Sequence, residues 1–264
     1  GLREYLEDNA YGNATWPQLI ALLDSKTALN LDEWNKAWVY EAGRPRIVVT
    51  REASDEQGRT HVVVRQEDPA GMGRIWPQKL SLLAITSTSQ TVHHMELGSD
   101  AVVIPAPAGD ASDAMILLPN ASGIEYADFV LDPQSQNGLI RDIGSIEPPV
   151  ARGAAWTTLW EEVQEGRLAA GLYLDTALRE LPAEQNELII NRVLGTLDES
   201  YWLRLDTQAR LAVSGPLEAM LWREVESTLR DTSARAAFYR SYRALATTDT
   251  GVERLIRLWE GDEE

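Results

Sequence analysis

Cysteine is missing from this 264-residue chain altogether. That removes disulfides, a thiolate nucleophile and any zinc site built on sulfur. A chain without Cys suits a reducing compartment, so the expectation is a cytoplasmic protein, with the periplasm left open. Histidine is scarce too, at three residues, which leaves little imidazole for acid–base or metal chemistry. Lysine occurs only at Lys26, Lys36 and Lys79 among 24 basic residues; we read this Arg bias as genome composition, not function. No apolar run approaches about 18 residues, so no membrane-spanning helix is predicted.

Acid is what the chain has in excess. Forty-one Asp and Glu give a formal net charge of −17. A surface this acidic repels phosphate backbones and anionic lipid, which argues against nucleic acid and membrane surfaces as partners. Hydrophobic residues reach 44%, ordinary for a folded protein, and nine Trp supply large core side chains.

The hydrophobic period changes twice along the chain. Residues 1–43 read as short helices. Leu2, Tyr5 and Leu6 share a face, Tyr11-Gly12-Asn13 breaks the pattern, and Thr15 with Gln18 forms a capping box. Asn30 starts a third helix with Glu33 at the box position, and Trp34 and Trp38 lie one turn apart. Residues 44–132 switch to short runs rich in Val, Ile and Thr. Strands are predicted at Ile47–Thr50, Thr60–Gln66, Lys79–Thr86, Thr91–Leu97, Ala101–Ile104, Ala114–Leu118 and Glu125–Leu131, as an antiparallel sandwich. Residues 133–264 return to helical stripes, first at Trp156, Leu159, Trp160 and Val163. Pro182, Gly195, Gly215-Pro216 and Gly251 are read as breaks between later helices. The fold class is thus multidomain α and β: a helical segment, an antiparallel β-sandwich, then an all-α array resembling an α–α superhelix.

Candidate chemistry is thin. His93-His94-Met95-Glu96 has metal-ligating residue types, but neighbours in a strand point to opposite faces, and His94 with Glu96 make an incomplete set. His61 stands alone. Glu161, Glu162 and Glu165 could hold an acid–base pair, yet a solvated helix face explains them better. Arg235, Arg240 and Arg243 read as exposed helix positions. Gly71-Met72-Gly73 lacks the helix and the further Gly or Lys of a phosphate loop. Asn13 and Asn120 each begin a glycosylation sequon, a pattern too short to carry weight alone. The residues assign no catalytic, cofactor-binding or metal-binding position.

The order of parts and several words of the sequence carry a resemblance. "GLREYLEDNAYGNATWPQLIALLDSKTALNLDEWNKAWVYEAGRP" resembles the end of the catalytic domain of zinc aminopeptidases of the aminopeptidase N family, which are gluzincin metallopeptidases. The matching words are Gly1 to Leu6, Tyr11 to Thr15, Trp34 with Trp38, and Gly43 with Pro45. "HVVVRQEDP" followed by "RIWPQKLSL", and then "MILLPNASGIEYADFVLD", are similar to that family's small sandwich; Ile124 and Glu125 depart from it. "RGAAWTTLWEEVQEGRLAAGLYL" is similar to the start of its helical domain.

What the resemblance implies is an enzyme whose chemistry lies elsewhere. The family's H-E-x-x-H zinc motif, its downstream Glu, its G-x-M-E-N loop and its oxyanion Tyr do not occur in this chain. The implied fragment holds no cofactor. Zinc is expected in the missing catalytic domain, which is the implied partner, and peptide is the implied substrate of the whole. The helical array would close the peptide-access chamber. Severed from that domain, the face with Leu2, Leu6, Trp34 and Trp38 would expose apolar surface. Two other readings are a free-standing scaffold or interaction module, and a small hydrolase working at His93–Glu96.

Overall fold

A computed structural model describes residues 1–53, 60–105 and 116–261. The chain divides into two compact units. One comprises Gly1–Leu80, His94–Ala106 and Glu125–Val130; the other comprises Ser81–His93, Pro107–Ile124 and Leu131–Glu264.

The first unit opens with helices α1 (Leu2–Asp8), α2 (Trp16–Asp24) and α3 (Leu31–Asn35), the last continuing as a π-helical turn over Lys36–Tyr40. Local signals set these ends. Thr15 N donates to Gln18 Oε1 at 3.0 Å, which is the reciprocal half of the capping box. The Asn30 side chain accepts from Asp32 N and Glu33 N. Side chains then tie the helices down: Trp16 Nε1 donates to Asn35 Oδ1 at 2.7 Å, and Trp38 Nε1 to Pro77 O at 3.2 Å.

Seven strands follow: β1 (Arg46–Ala53), β2 (Thr60–Glu67), β3 (Gln78–Ile85), β4 (Gln90–Leu97), β5 (Ala101–Pro105), β6 (Ile116–Leu118) and β7 (Asp128–Val130). All seven expected strands are present, although Ala114 and Met115 of the sixth lie outside the described residues. One sheet has the order β5-β2-β1-β7 and the other β4-β3-β6. The first sheet is mixed, antiparallel at β1–β2 and β2–β5 and parallel at one pair. β7 lies parallel to β1, with Arg46, Ile47 and Val48 opposite Asp128, Phe129 and Val130. A long chain separates β1 from β7, and such separation permits a parallel partner. Ile47 and Val49 alternate inward along β1, while Val62, Val63 and Val64 are all buried in β2, which has neighbours on both edges.

The second unit is built on one apolar core. Its helices are α4 (Pro133–Asp142), α5 (Pro149–Gln164), α6 (Ala170–Glu180), α7 (Glu187–Glu199), α8 (Thr207–Glu226), α9 (Thr232–Leu245) and α10 (Asp249–Glu260). Helix α5 is central. Trp156, Leu159, Trp160 and Val163 are buried as the stripe predicts, and Ala151, Ala155 and Thr158 are buried as well. Tyr173 of α6 packs edge-on to Trp156, with ring centroids 5.7 Å apart, and tilts against Trp160 at 5.5 Å. Its hydroxyl shares a 2.6 Å hydrogen bond with Thr196 of α7.

Three expected helix breaks are not breaks. Gly195 lies inside α7, Gly251 inside α10, and Gly215-Pro216 inside α8. Pro216 removes one backbone bond, but Leu217, Met220 and Leu221 directly after it are buried. Burial of that face outweighs a cost of about 3 kcal/mol for an interior proline. Gly251 fits where it is because a Cβ there would run into the Glu218 carboxylate.

Two glycines inside helices give opposite expectations. A Cβ on Gly138 of α4 would collide with Cγ1 of Ile116 in β6, whereas one on Gly195 meets nothing within 4 Å. Gly138→Ala should therefore cost about 1–3 kcal/mol of overpacking against a propensity gain of about 1. Gly195→Ala should gain up to about 1 kcal/mol. Urea unfolding midpoints of the two variants, moving in opposite directions, check this.

Candidate functional site

The histidines come first, since they are the ready metal ligands. Along β4, His93, Met95 and Leu97 are sheltered while Val92, His94 and Glu96 are exposed. The alternation sets His93 and His94 on opposite faces, as strand geometry requires. Glu96 is engaged by Lys79 at 3.5 Å on the exposed surface. Among the described residues no three His, Asp or Glu side chains gather as a metal would need. Among the described residues, His93, His94 and Glu96 of β4 therefore do not come together as one metal-binding set.

The long connection from β2 to β3 is organised by one carboxylate. Asp68 accepts from the backbone N–H of Ala70 (2.9 Å), Met72 (3.1 Å) and Arg74 (3.2 Å). It also takes Nε and Nη2 of Arg74 at 2.9 and 2.8 Å, one oxygen each. Gly71 and Gly73 both sit at φ +69°, which lets the turn close around the carboxylate. The loop has the look of an anion cradle, and the chain's own Asp68 fills it. Arg74 donates onward from Nη1 to Ala42 O at 2.7 Å and lies 4.6 Å over the Trp76 ring. Gln66 completes the group by accepting from Trp76 N at 3.0 Å and donating to Ser99 O at 2.8 Å.

The acidic run on α5 divides. Glu165 is exposed, Glu161 half-buried and Glu162 only 1% exposed, so the solvated-face reading fails at Glu162. Burial pushes its carboxyl above the ordinary Glu value, against the pull of Arg167. Arg167 Nε and Gln136 Nε2 donate to it at 3.0 and 2.9 Å. The group is a tie between the end of α5 and the start of α4. Arg235, Arg240 and Arg243 are exposed, as read from the sequence. Asn120 is buried and donates to Thr158 at 3.1 Å, so its sequon is closed to modification in this fold; Asn13 is exposed.

Clefts in the second unit were not foreseen. One, of about 210 Å³, holds Arg152 with both guanidinium arms on Glu184, at 2.7 and 3.0 Å. Arg152 Nη1 also donates to Ile146 O at 2.6 Å, so that charge is fully used. A larger one, of about 530 Å³, runs between α8, α9 and α10 and is lined by Glu218, Trp222, Glu226, Tyr242, Thr248 and Arg254. Its signals were spread over more than thirty residues and three helices, so no local motif marked it.

The helical segment, the two sheets and the helical array follow one another in the order read from the sequence. No family model matches the sequence. Aminopeptidase N of Streptomyces lividans is 25% identical over 284 residues, an alignment covering 99% of this chain and 32% of that protein. The resemblance to the aminopeptidase N family read from the sequence therefore stands along essentially the whole chain. A solved structure of Legionella pneumophila aminopeptidase A, in complex with aspartic acid, shares the fold at a TM-score of 0.59 with 13% identity. It matches over 98% of this chain and 34% of its own. The chain thus spans about a third of the length of these relatives.

Asp68 gives a pH test. Its donors, Arg74 first, hold the carboxyl well below the usual range despite burial. A depressed folded pKa contributes stability above the ordinary value of 3.8, lost as pH falls through the folded value. Asp68→Asn should lower the urea midpoint at neutral pH. Its deficit against the parent chain should shrink as pH falls below the ordinary value of 3.8 toward the folded value. A deficit constant across that range would show that the charge is not what holds the loop.

Proposed function

We propose that this chain is the noncatalytic C-terminal portion of a zinc-dependent aminopeptidase that removes N-terminal residues from peptides. One observation carries the reading: similarity to aminopeptidase N runs through 99% of this chain yet takes up only 32% of that protein. In this reading residues 1–43 end the catalytic domain, 44–132 form the β-rich middle part, and 133–264 form the helical part that shapes and closes the peptide chamber. The zinc and the catalytic groups belong to the remainder of the enzyme, which is this chain's principal partner.

The exposed apolar residues of the first unit support such a partner. Leu2 is 60% and Leu6 61% exposed, and Tyr11, Trp16 and Tyr40 are exposed too. Trp34 and Trp38 depart from the expected bare face: both are half-buried. A bare apolar set of this kind is what a contact with a missing domain leaves behind.

The deciding observation is the coding DNA upstream of Gly1. An open frame with H-E-x-x-H and a following Glu supports the reading; a frame without the ligands turns it toward a scaffold. On the chain itself, an apolar dye should bind and self-association should occur, both suppressed when the catalytic portion is joined. A monomer that binds no dye would remove the support given by Leu2 and Leu6. In the whole enzyme the −17 charge of this portion should favour basic peptides, so their KM should rise with salt while that of neutral peptides holds.

A further inference from the structure

We propose that the cleft between α8, α9 and α10 binds a carboxylate-bearing ligand with an apolar body. The guanidinium of Arg254 holds the carboxylate, and Trp222 supplies the floor and a second N–H donor. The proposal rests on this cleft alone and is independent of the peptidase reading.

Arg254 is set apart by what surrounds it. Arg74, Arg152, Arg167 and Arg230 each grip a carboxylate at 3.0 Å or less. Arg254 is half-buried, and no carboxylate of the described residues forms an ion pair with it. Its Nη1 reaches Tyr242 Oη only at 3.5 Å, and its Nε is buried with no acceptor. A half-buried cation left this way has an unmet charge and an unmet donor.

Trp222 repeats the pattern. It is only 9% exposed and lines the same cleft, and its indole N–H has no acceptor. The Arg254 guanidinium lies 4.6 Å over the ring. Two orphaned N–H donors, one of them charged, thus belong to residues of one cleft. A carboxylate is the group that answers both, since it is acceptor-only and planar to match the guanidinium fork.

The acids in the cleft set the limits of the ligand. Glu218 is buried, but its oxygens are taken by Thr247 N at 2.7 Å, Thr248 N at 2.9 Å and the Thr248 hydroxyl. It holds the start of α10 and does not serve Arg254. Glu226 lies exposed on the rim. Glu218 and Glu226 oppose a dianion more than a monoanion, and Arg223, the other guanidinium of the cleft, is exposed and pairs with Glu224 at 3.6 Å, so a single carboxylate is favoured over a phosphate. Ala219 and Trp222 line the cleft and give the rest of the ligand apolar surface to cover.

The test uses the whole 264-residue chain, labelled with nitrogen-15, and follows the Trp222 indole resonance, identified by its loss in Trp222→Phe. N-acetylleucine should bind and move that resonance; N-acetylleucinamide, which lacks the carboxylate, should not. Arg254→Gln should weaken binding at least about tenfold, and Arg254→Lys should fall between. Trp222→Phe keeps the floor, should fold as well as the parent or better, and should bind severalfold more weakly. 4-Methylpentanoate separates the sources. Equal binding assigns the site to small carboxylic acids, and a preference for N-acetylleucine assigns it to peptide ends. The proposal is overturned if acid and amide bind alike, or if Arg254→Gln melts like the parent chain and binds N-acetylleucine unchanged. Unchanged binding by Trp222→Phe would likewise overturn the role given to the indole.

Discussion

The first unit hangs on the carboxylate of Asp68. A buried ion pair is costly to assemble, because both charges leave water, and it stabilises only when every lone pair and proton is used. Here five donors reach the two oxygens: three backbone N–H groups and two arms of Arg74. Arg74 then spends its remaining arm on Ala42 O, at the end of the helical segment. One charge pair therefore fixes the turn into β3, the exit from the helices and the place of Trp76. It also explains the words "RQEDP" and "RIWP" of the resemblance. Gln66 with Trp76, and Asp68 with Arg74, are two hydrogen-bonded pairs joined where Arg74 lies over the Trp76 ring, so the fold itself requires their spacing.

The second unit uses the same device at its helix ends. Arg230 is 8% exposed and grips Glu224 at 2.9 Å while donating to the carbonyls of Leu181, Pro182 and Glu184. It thereby satisfies carbonyls of the turn that follows α6. Arg152 and Glu184 act at the turn between α6 and α7, and Glu184 also takes the N–H groups of Gln185 and Asn186. Lysine could not do this work, since it lacks the planar fork that reaches a carboxylate and a carbonyl together. The Arg bias, read from composition as a genomic habit, is put to structural use at these points.

Local signals were legible and distant ones were not. The Thr15 and Asn30 caps and the seven strands needed only neighbouring residues, and the structure has them. Pro216 was misread because its cost is local and its compensation, burial of Leu217 and Leu221, comes from tertiary packing. Glu162 was misread for the same reason. Its neighbours Glu161 and Glu165 suggested a wet face, while its partner Arg167 lies five residues on, past the helix end. The cleft of Trp222 and Arg254 left no trace in sequence, since 32 positions and two helix junctions separate its two chief residues. The parallel pairing of β7 with β1 was hidden likewise, because strand patterns mark existence and not partners.

The use of buried polar groups separates frame from site. Asp68, Glu162, Glu184 and Glu218 each take several donors from the chain itself, so each serves the architecture. A saturated carboxylate makes a poor catalyst, because moving its proton would break the fold that holds it. Trp76 Nε1, His93 Nε2 and Ser200 Oγ are likewise buried without partners, but Trp222 Nε1 and Arg254 Nε belong to residues of one cleft. An unmet donor in such a setting costs stability that only a bound acceptor restores.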